Sequence, residues 1–277
     1  MAKTVTGISF IPRDSFMHRL TGASKLILTL LMSIGAMISF DTRYLFAGII
    51  LSAVFFRLSA VKFREMRFIL TLAALLLILN NIAIFLFSPE EGVRIYAARH
   101  VLAHLAGGYY ITSEQLFYQL NVTLKYFAII PVGLIFFAAT EPSEFAASLN
   151  ALGVNYKIAY AVSLALRYIP EMQRAFIETS QAQQARGADI SRKVSLRKRI
   201  KGAVAILFPL IFTSLDRIET ISNAMELREF GKLKRRTWYN WKPFKRADYV
   251  IAAIGILWVI IAVVLIIINN GRFYNPF

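Results

Sequence analysis

The stretch FILTLAALLLILNNIAIFLF, residues 68–87, holds no charged side chain in 20 positions and ends at Ser88 and Pro89. A membrane-spanning helix needs roughly 20 apolar residues, so this run is long enough to cross a bilayer by itself. Before it stands a basic loop with Arg57, Lys62, Arg64 and Arg67. Two further apolar runs precede that loop, Leu26–Phe40 and Tyr44–Leu58, parted only by Asp41, Thr42 and Arg43 in the manner of a helical hairpin. After it, residues 89–121 contain Glu90, Glu91, Glu114, the pair Gly107-Gly108 and two of the three histidines. That segment reads as a loop outside the membrane with a short surface helix. Val122–Ala139 and Tyr249–Ile268 complete the set of apolar runs. The fold class that follows is an all-α polytopic membrane protein with about five transmembrane helices.

Composition agrees: of 277 residues 57% are hydrophobic and 17% charged, with mean hydropathy +0.55. One membrane domain without a separate soluble domain is the simplest organisation. Residues Met1–Leu20 mix apolar side chains with Arg13, Asp14, His18 and Arg19 and lack a small-residue cleavage site, so no signal peptide is read. With no cysteine the sequence excludes disulfides, thiolate metal sites and a cysteine nucleophile.

The net charge is +16, and 16 of the 32 lysines and arginines fall between Arg186 and Arg246. Basic loops stay on the cytoplasmic side. This places the loop around Lys62 and the region after residue 140 inside, the N-terminus inside and the C-terminus outside. The cluster Arg192, Lys193, Arg197, Lys198, Arg199 and Lys201 suits anionic lipid headgroups. It lacks the interleaved stacking aromatics of a nucleic-acid surface, so no nucleic-acid partner is expected. The aromatic-basic stretch Trp238–Arg246 reads as an interfacial belt before the last span. The organisation is then a four-span membrane domain over 1–140, a cytoplasmic coupling-helix region over 141–246, and a last span with an external tail over 247–277.

Function is decided between the fourth and last spans. Pro142 and Ser143 open a short amphipathic helix to about Leu152, with Gly153 as its stop. A helical pattern then runs from Val154 to Ala185 through Pro170, but its apolar part, Ile158–Leu166, is only about half a membrane thickness. A second segment repeats the design: a basic start at Arg192, an apolar middle from Ala203 to Thr213 with Pro209 inside it, and a polar end through Asp216, Arg217, Glu219 and Glu226. Neither is an ordinary spanning helix. Proline removes a backbone hydrogen bond and crowds the preceding turn, so Pro170 and Pro209 are expected to kink two helices lying along the cytoplasmic surface. The small residues Ala159, Ala161, Ala165, Ala203 and Ala205 allow close approach of another apolar helix, either from a partner or from the chain's own spans.

Each segment ends on an arginine. The first closes Gln183-Gln184-Ala185-Arg186-Gly187-Ala188-Asp189 and the second Ala224-Met225-Glu226-Leu227-Arg228-Glu229-Phe230-Gly231. A cation in the last turn complements the negative end of the helix dipole, which alone can account for one such arginine. Recurrence on two similar segments, the second with an exposed-looking Phe230, points to docking tips.

In Leu166-Arg167-Tyr168-Ile169-Pro170, Gln183–Asp189, Phe208-Pro209-Leu210 and Ala224–Arg228, and more weakly in Phe10-Ile11-Pro12 and Ala23-Ser24-Lys25-Leu26, the chain resembles the T component, the transmembrane coupling subunit, of energy-coupling factor (ECF) transporters. The resemblance covers nearly the whole chain and is most specific in its second half. It implies an ABC-type importer of vitamins, cobalt or nickel in a bacterial or archaeal cell membrane. In it, two ABC-type ATPase subunits bind ATP and magnesium, a small integral membrane S component binds substrate, and this chain binds no cofactor. It also implies an Ala-Arg-Gly signature at each of two helix ends, each arginine entering a groove on one ATPase. Ala185, Arg186 and Gly187 match it fully; Leu227, Arg228 and Glu229 depart from it, placing a carboxylate where glycine is expected.

The residues themselves carry no catalytic motif. There is no Gly-x-x-x-x-Gly-Lys-Ser/Thr phosphate loop, and His100 and His104 form an i, i+4 pair without a third metal ligand nearby. The rival reading is a self-sufficient secondary transporter or channel. Such proteins place carboxylates or histidines within their spans, whereas the five runs contain no Asp, Glu or His. Lys125 is a charge near the end of a run, and Asn80 and Asn81 are explained by helix–helix hydrogen bonding.

Overall fold

All five apolar runs form helices in the computed structural model, which describes residues 13–104, 110–187, 195–233, 237–238 and 242–277. Phe10, Ile11, Pro12, Gly107, Gly108, Ala188, Asp189, Arg192, Lys193, Tyr239 and Trp241, all named above, lie outside the described residues. The order is α1 (Phe16–Arg19), α2 (Gly22–Ile38), α3 (Thr42–Ser59), a 3-10 turn (Phe63–Glu65), α4 (Arg67–Phe87), α5 (Glu91–Tyr96), β1 (Val101–His104), β2 (Tyr110–Thr112), α6 (Ser113–Ala139), α7 (Pro142–Ala151), α8 (Tyr156–Ala185), α9 (Leu196–Leu227) and α10 (Arg246–Ile268). Two compact units result, one of residues up to 148 together with those from 242 onward, the other of residues 149–241.

In the first unit α3, α4, α6 and α10 are long and apolar enough to cross a membrane. The fifth expected span is the shorter α2, 17 residues, about 25 Å at 1.5 Å per residue and at the lower limit for spanning. The chain is a multi-pass membrane protein. Helix α2 packs on α6 and α10, and α3 packs on α6. At the centre Tyr44 stacks on Trp258 with ring centroids 4.0 Å apart, and its hydroxyl donates to the Trp258 carbonyl at 3.0 Å. A methyl group on Gly35 would lie 2.8 Å from the Trp258 ring, and one on Gly48 2.9 Å from it. Close approach of helices through small residues is how membrane interfaces gain van der Waals contact. Helix α4 buries no side chain and joins α6 through Asn81, whose amide donates to the Thr123 hydroxyl at 3.2 Å.

Charged and polar residues gather at the helix ends. Asp248 in the first turn of α10 accepts the Thr21 amide at 2.8 Å and its hydroxyl at 2.9 Å, tying α10 to the start of α2. Asp41, the N-cap of α3, accepts from the Arg43 amide at 2.9 Å, the Arg43 guanidinium at 2.9 Å and the Asn269 amide at 2.8 Å. Burial pushes the Asp41 carboxyl up, but these hydrogen bonds outweigh it and hold the group below the usual aspartate value.

Two expectations are corrected here. The fourth spanning helix begins at Ser113 rather than Val122, because its polar first turns find partners. Thr112 caps the Gln115 amide at 3.3 Å, Gln115 accepts from the Gly92 amide at 2.8 Å, and Asn121 accepts from the Thr42 hydroxyl at 2.7 Å. The spanning helices therefore do carry carboxylates, Glu114 and Asp248, each within one turn of a helix start, where the dipole favours an anion. Glu114 is buried against His100, with Nδ1 2.5 Å from Oε1. The second correction is an antiparallel hairpin in the 89–121 segment, pairing Val101 with Thr112 and His104 with Tyr110, beside the short helix α5.

Candidate functional site

Unit 149–241 is built on α8 and α9. The Asn155 side chain caps α8 by accepting the Lys157 amide at 3.0 Å. Both helices run unbroken through Pro170 and Pro209. They pair antiparallel: Glu171 meets Arg217 at 2.6 Å, the Ser214 hydroxyl donates to the Met172 sulfur at 3.3 Å, and Tyr156 packs on Phe230 at 5.6 Å between centroids. The end of α9 thus lies at the start of α8, and the tips carrying Arg186 and Arg228 fall at opposite ends of the pair. At 30 and 32 residues, the helices are each about 45 Å long or slightly more.

The two tips share one backbone geometry although their sequences differ. Arg186 has φ −87° and ψ 8°, Arg228 φ −89° and ψ 13°. The next residue is left-handed in both, Gly187 at φ 88° and Glu229 at φ 54°. The Gly187 amide donates to the Gln184 carbonyl at 2.9 Å, and the Glu229 amide to the Glu226 carbonyl at 2.9 Å. At the second tip the Phe230 amide also reaches back to the Met225 carbonyl at 2.9 Å, completing a Schellman stop. Glutamate in the place of glycine is accommodated by taking the glycine's conformation. Its carboxylate turns to Lys232, 2.6 Å away.

Ala185, Arg186, Gly187, Leu227, Arg228 and Glu229 are all exposed, Leu227 at 87%. Phe230 is not the exposed residue expected: it is half-buried against Tyr156 and against Tyr160 at 4.8 Å, and so fixes the tip rather than projecting from it. Among the small residues, Ala161 and Ala165 are exposed one turn apart, Ala203 and Ala205 are half-buried, and Ala159 is fully buried. One feature escaped the sequence reading, an exposed apolar stripe on α9 through Ile200, Val204, Leu207, Ile211, Leu215 and Ile218. Its i, i+4, i+7 spacing was the available signal.

A family model described as cobalt transport protein, CbiQ, matches residues 13–239. The chain is 26% identical over 238 residues to the energy-coupling factor transporter transmembrane protein EcfT of Macrococcus caseolyticus, covering 83% of this chain and 86% of that one. It is 26% identical over 265 residues to the protein of the same name from Thermotoga maritima, covering 90% of each. To that of Leuconostoc gelidum it is 27% identical over 265 residues, covering 91% and 93%. The matched region takes in both long helices and both tips, and the chain belongs to the CbiQ cobalt transport protein family, the transmembrane T components that its motifs resemble.

Proposed function

We propose that the chain is the non-catalytic scaffold of an ECF-type ABC importer, joining two cytoplasmic ATPase subunits to a small substrate-binding membrane protein for vitamin or transition-metal uptake. The observation that carries this reading is the recurrence of one exposed arginine tip at opposite ends of an antiparallel helix pair. Two equivalent tips so separated serve two equivalent partners at once, which a capping role does not require. Each arginine enters a groove on one ATPase and makes charge-assisted hydrogen bonds there. When ATP and magnesium draw the ATPases together, load arrives at both ends of α8 and α9, and the helices pass it to the S component. Ala161, Ala165 and the apolar stripe of α9 offer that component a surface. The long helices are cytoplasmic, with the N-terminus inside, in keeping with the basic region that contains them.

Affinity purification of the tagged chain from mild detergent tests this. Co-purification of one or two ABC-type ATPases with a small integral membrane protein is the expected result. A chain recovered alone that moves a solute into liposomes without ATP overturns it in favour of a secondary transporter.

A further inference from the structure

The outer face of α3 holds an open groove of about 750 Å³, lined by Ile49, Ile50, Ala53, Val54, Phe56 and Arg57. Residues 49, 53 and 57 lie one turn apart along one helix face, as do 50 and 54. The groove therefore follows a membrane-spanning helix for about 12 Å, to Arg57 in its last turn. Immediately beyond come Lys62, Arg64 and Arg67, all exposed. The one acid of this segment, Glu65, is already engaged by Arg13 at 2.5 Å. Its other oxygen accepts the Lys62 main-chain amide at 3.2 Å, and among the described residues no carboxylate forms a salt bridge with the side chain of Arg57, Lys62, Arg64 or Arg67, so four exposed cations gather beside one neutralised acid.

We infer that this groove is a binding site for an anionic phospholipid, one acyl chain lying along Ile49, Ala53 and Val54 and the phosphate held by Arg57. The order of chemistry along the helix carries the assignment: apolar wall at hydrocarbon depth, then guanidinium at the helix end, then a cationic cluster at headgroup depth. An arginine at this position extends its head to the interface while its stem stays in the apolar layer. Anionic headgroups are drawn to such clusters next to a span. A protein partner would need acids to answer the cluster and gains nothing from a groove open to the hydrocarbon. The basic residues of α9 belong to the other unit.

The test uses the full chain purified in mild detergent, delipidated, and exposed to equal phosphatidylglycerol and phosphatidylcholine, with bound lipid counted by native mass spectrometry. Wild type is expected to retain phosphatidylglycerol at least fivefold over phosphatidylcholine. Arg57→Gln at least halves that preference. Ala53→Trp, which fills the groove without touching charge, lowers retention of both lipids. Both positions are exposed, so each variant is expected to unfold at the wild-type temperature. Lys198→Gln/Arg199→Gln, in the basic cluster of α9 that also suits anionic headgroups, lowers the preference only in part. Equal retention in wild type and Arg57→Gln, or loss of the preference only in the Lys198/Arg199 variant, overturns the site. Displacement by millimolar inorganic phosphate reassigns it to a free anion and overturns the lipid. Loss of a co-purifying protein from Ala53→Trp with lipid unchanged makes it a protein interface instead.

Discussion

Lys25 and Lys125 perform the same task at opposite ends of one helix pair. Lys25, near the start of α2, donates to the carbonyl of Ala139, the last residue of α6, at 2.6 Å. Lys125 of α6 donates to the carbonyl of Met37, in the last turn of α2, at 3.0 Å. The antiparallel helices therefore cap each other's C-termini, where carbonyls lack intrahelical donors and the dipole is negative. Their surroundings differ. Lys25 is 3.2 Å from buried Glu144, which also meets Lys242 at 3.3 Å; Lys125 lies over the Phe40 ring, 3.0 Å from its centroid.

That difference sets unequal costs for the same substitution. Lys25→Met leaves the Glu144 carboxylate, 8% exposed, with Lys242 alone, and the loss is expected at the low end for breaking a buried pair, about 3 kcal/mol. Lys125→Met strands no charge and is expected to cost about 1 to 2 kcal/mol, the worth of one hydrogen bond and the contact with the Phe40 ring. In Lys25→Met/Glu144→Leu most of the loss is recovered, because Lys242 is half-exposed and can turn to water. Thermal unfolding of the three variants in detergent checks the order; equal losses for the two single variants contradict it.

Spanning runs and the end of α8 were legible in the sequence because each is a local signal: hydrophobic length and a glycine stop. What was not legible depends on pairing across the chain. Val122 looked like the start of the fourth helix because Glu114, Gln115 and Asn121 are polar, and only their partners at His100, Gly92 and Thr42 make an earlier start affordable. Phe230 looked exposed because the aromatics that cover it, Tyr156 and Tyr160, lie 70 or more residues earlier in the chain. Glu229 looked like a break in the motif because sequence shows residue type, whereas its left-handed backbone keeps the motif's geometry.

Reversing the charge at a tip separates docking from capping. Arg186→Glu is expected to leave the chain folded, since the residue is exposed and a dipole term there is worth at most about 1 kcal/mol. At a docked interface it places an uncompensated anion, at a cost of about 3 to 5 kcal/mol, enough to reduce ATPase recovery by two orders of magnitude or more and to abolish uptake. Arg228→Glu should follow the same direction more mildly, because Glu229 already stands beside it. Normal uptake by Arg186→Glu would remove the docking role.

Acid sensitivity is expected from Asp41. Its folded pKa lies below its unfolded value, so its stabilisation is complete above the ordinary carboxylate range, about 3.9, and is lost as pH falls below that. Asp41→Asn keeps an N-cap side chain but removes the charge that holds Arg43 and Asn269, at a cost of about 1 to 3 kcal/mol near pH 7. The variant's unfolding temperature should fall less than that of wild type between pH 5 and 3. Parallel pH profiles would show that Asp41 contributes nothing through its charge.

The left-handed residue after each arginine makes opposite predictions for the two tips. A side chain in that conformation costs about 1 to 2 kcal/mol relative to the right-handed region, a cost that glycine avoids. Gly187→Ala should therefore loosen the end of α8, raising amide exchange over residues 182–187 and weakening ATPase recovery. Glu229→Gly relieves the strain at φ 54° and gives up the exposed pair with Lys232, worth a few tenths of a kcal/mol, and adds the freedom of glycine in the unfolded chain. It should slow exchange over 224–230 and bind the second ATPase at least as well as wild type. Faster exchange there in Glu229→Gly would mean that the carboxylate itself, through Lys232, holds the second tip in shape.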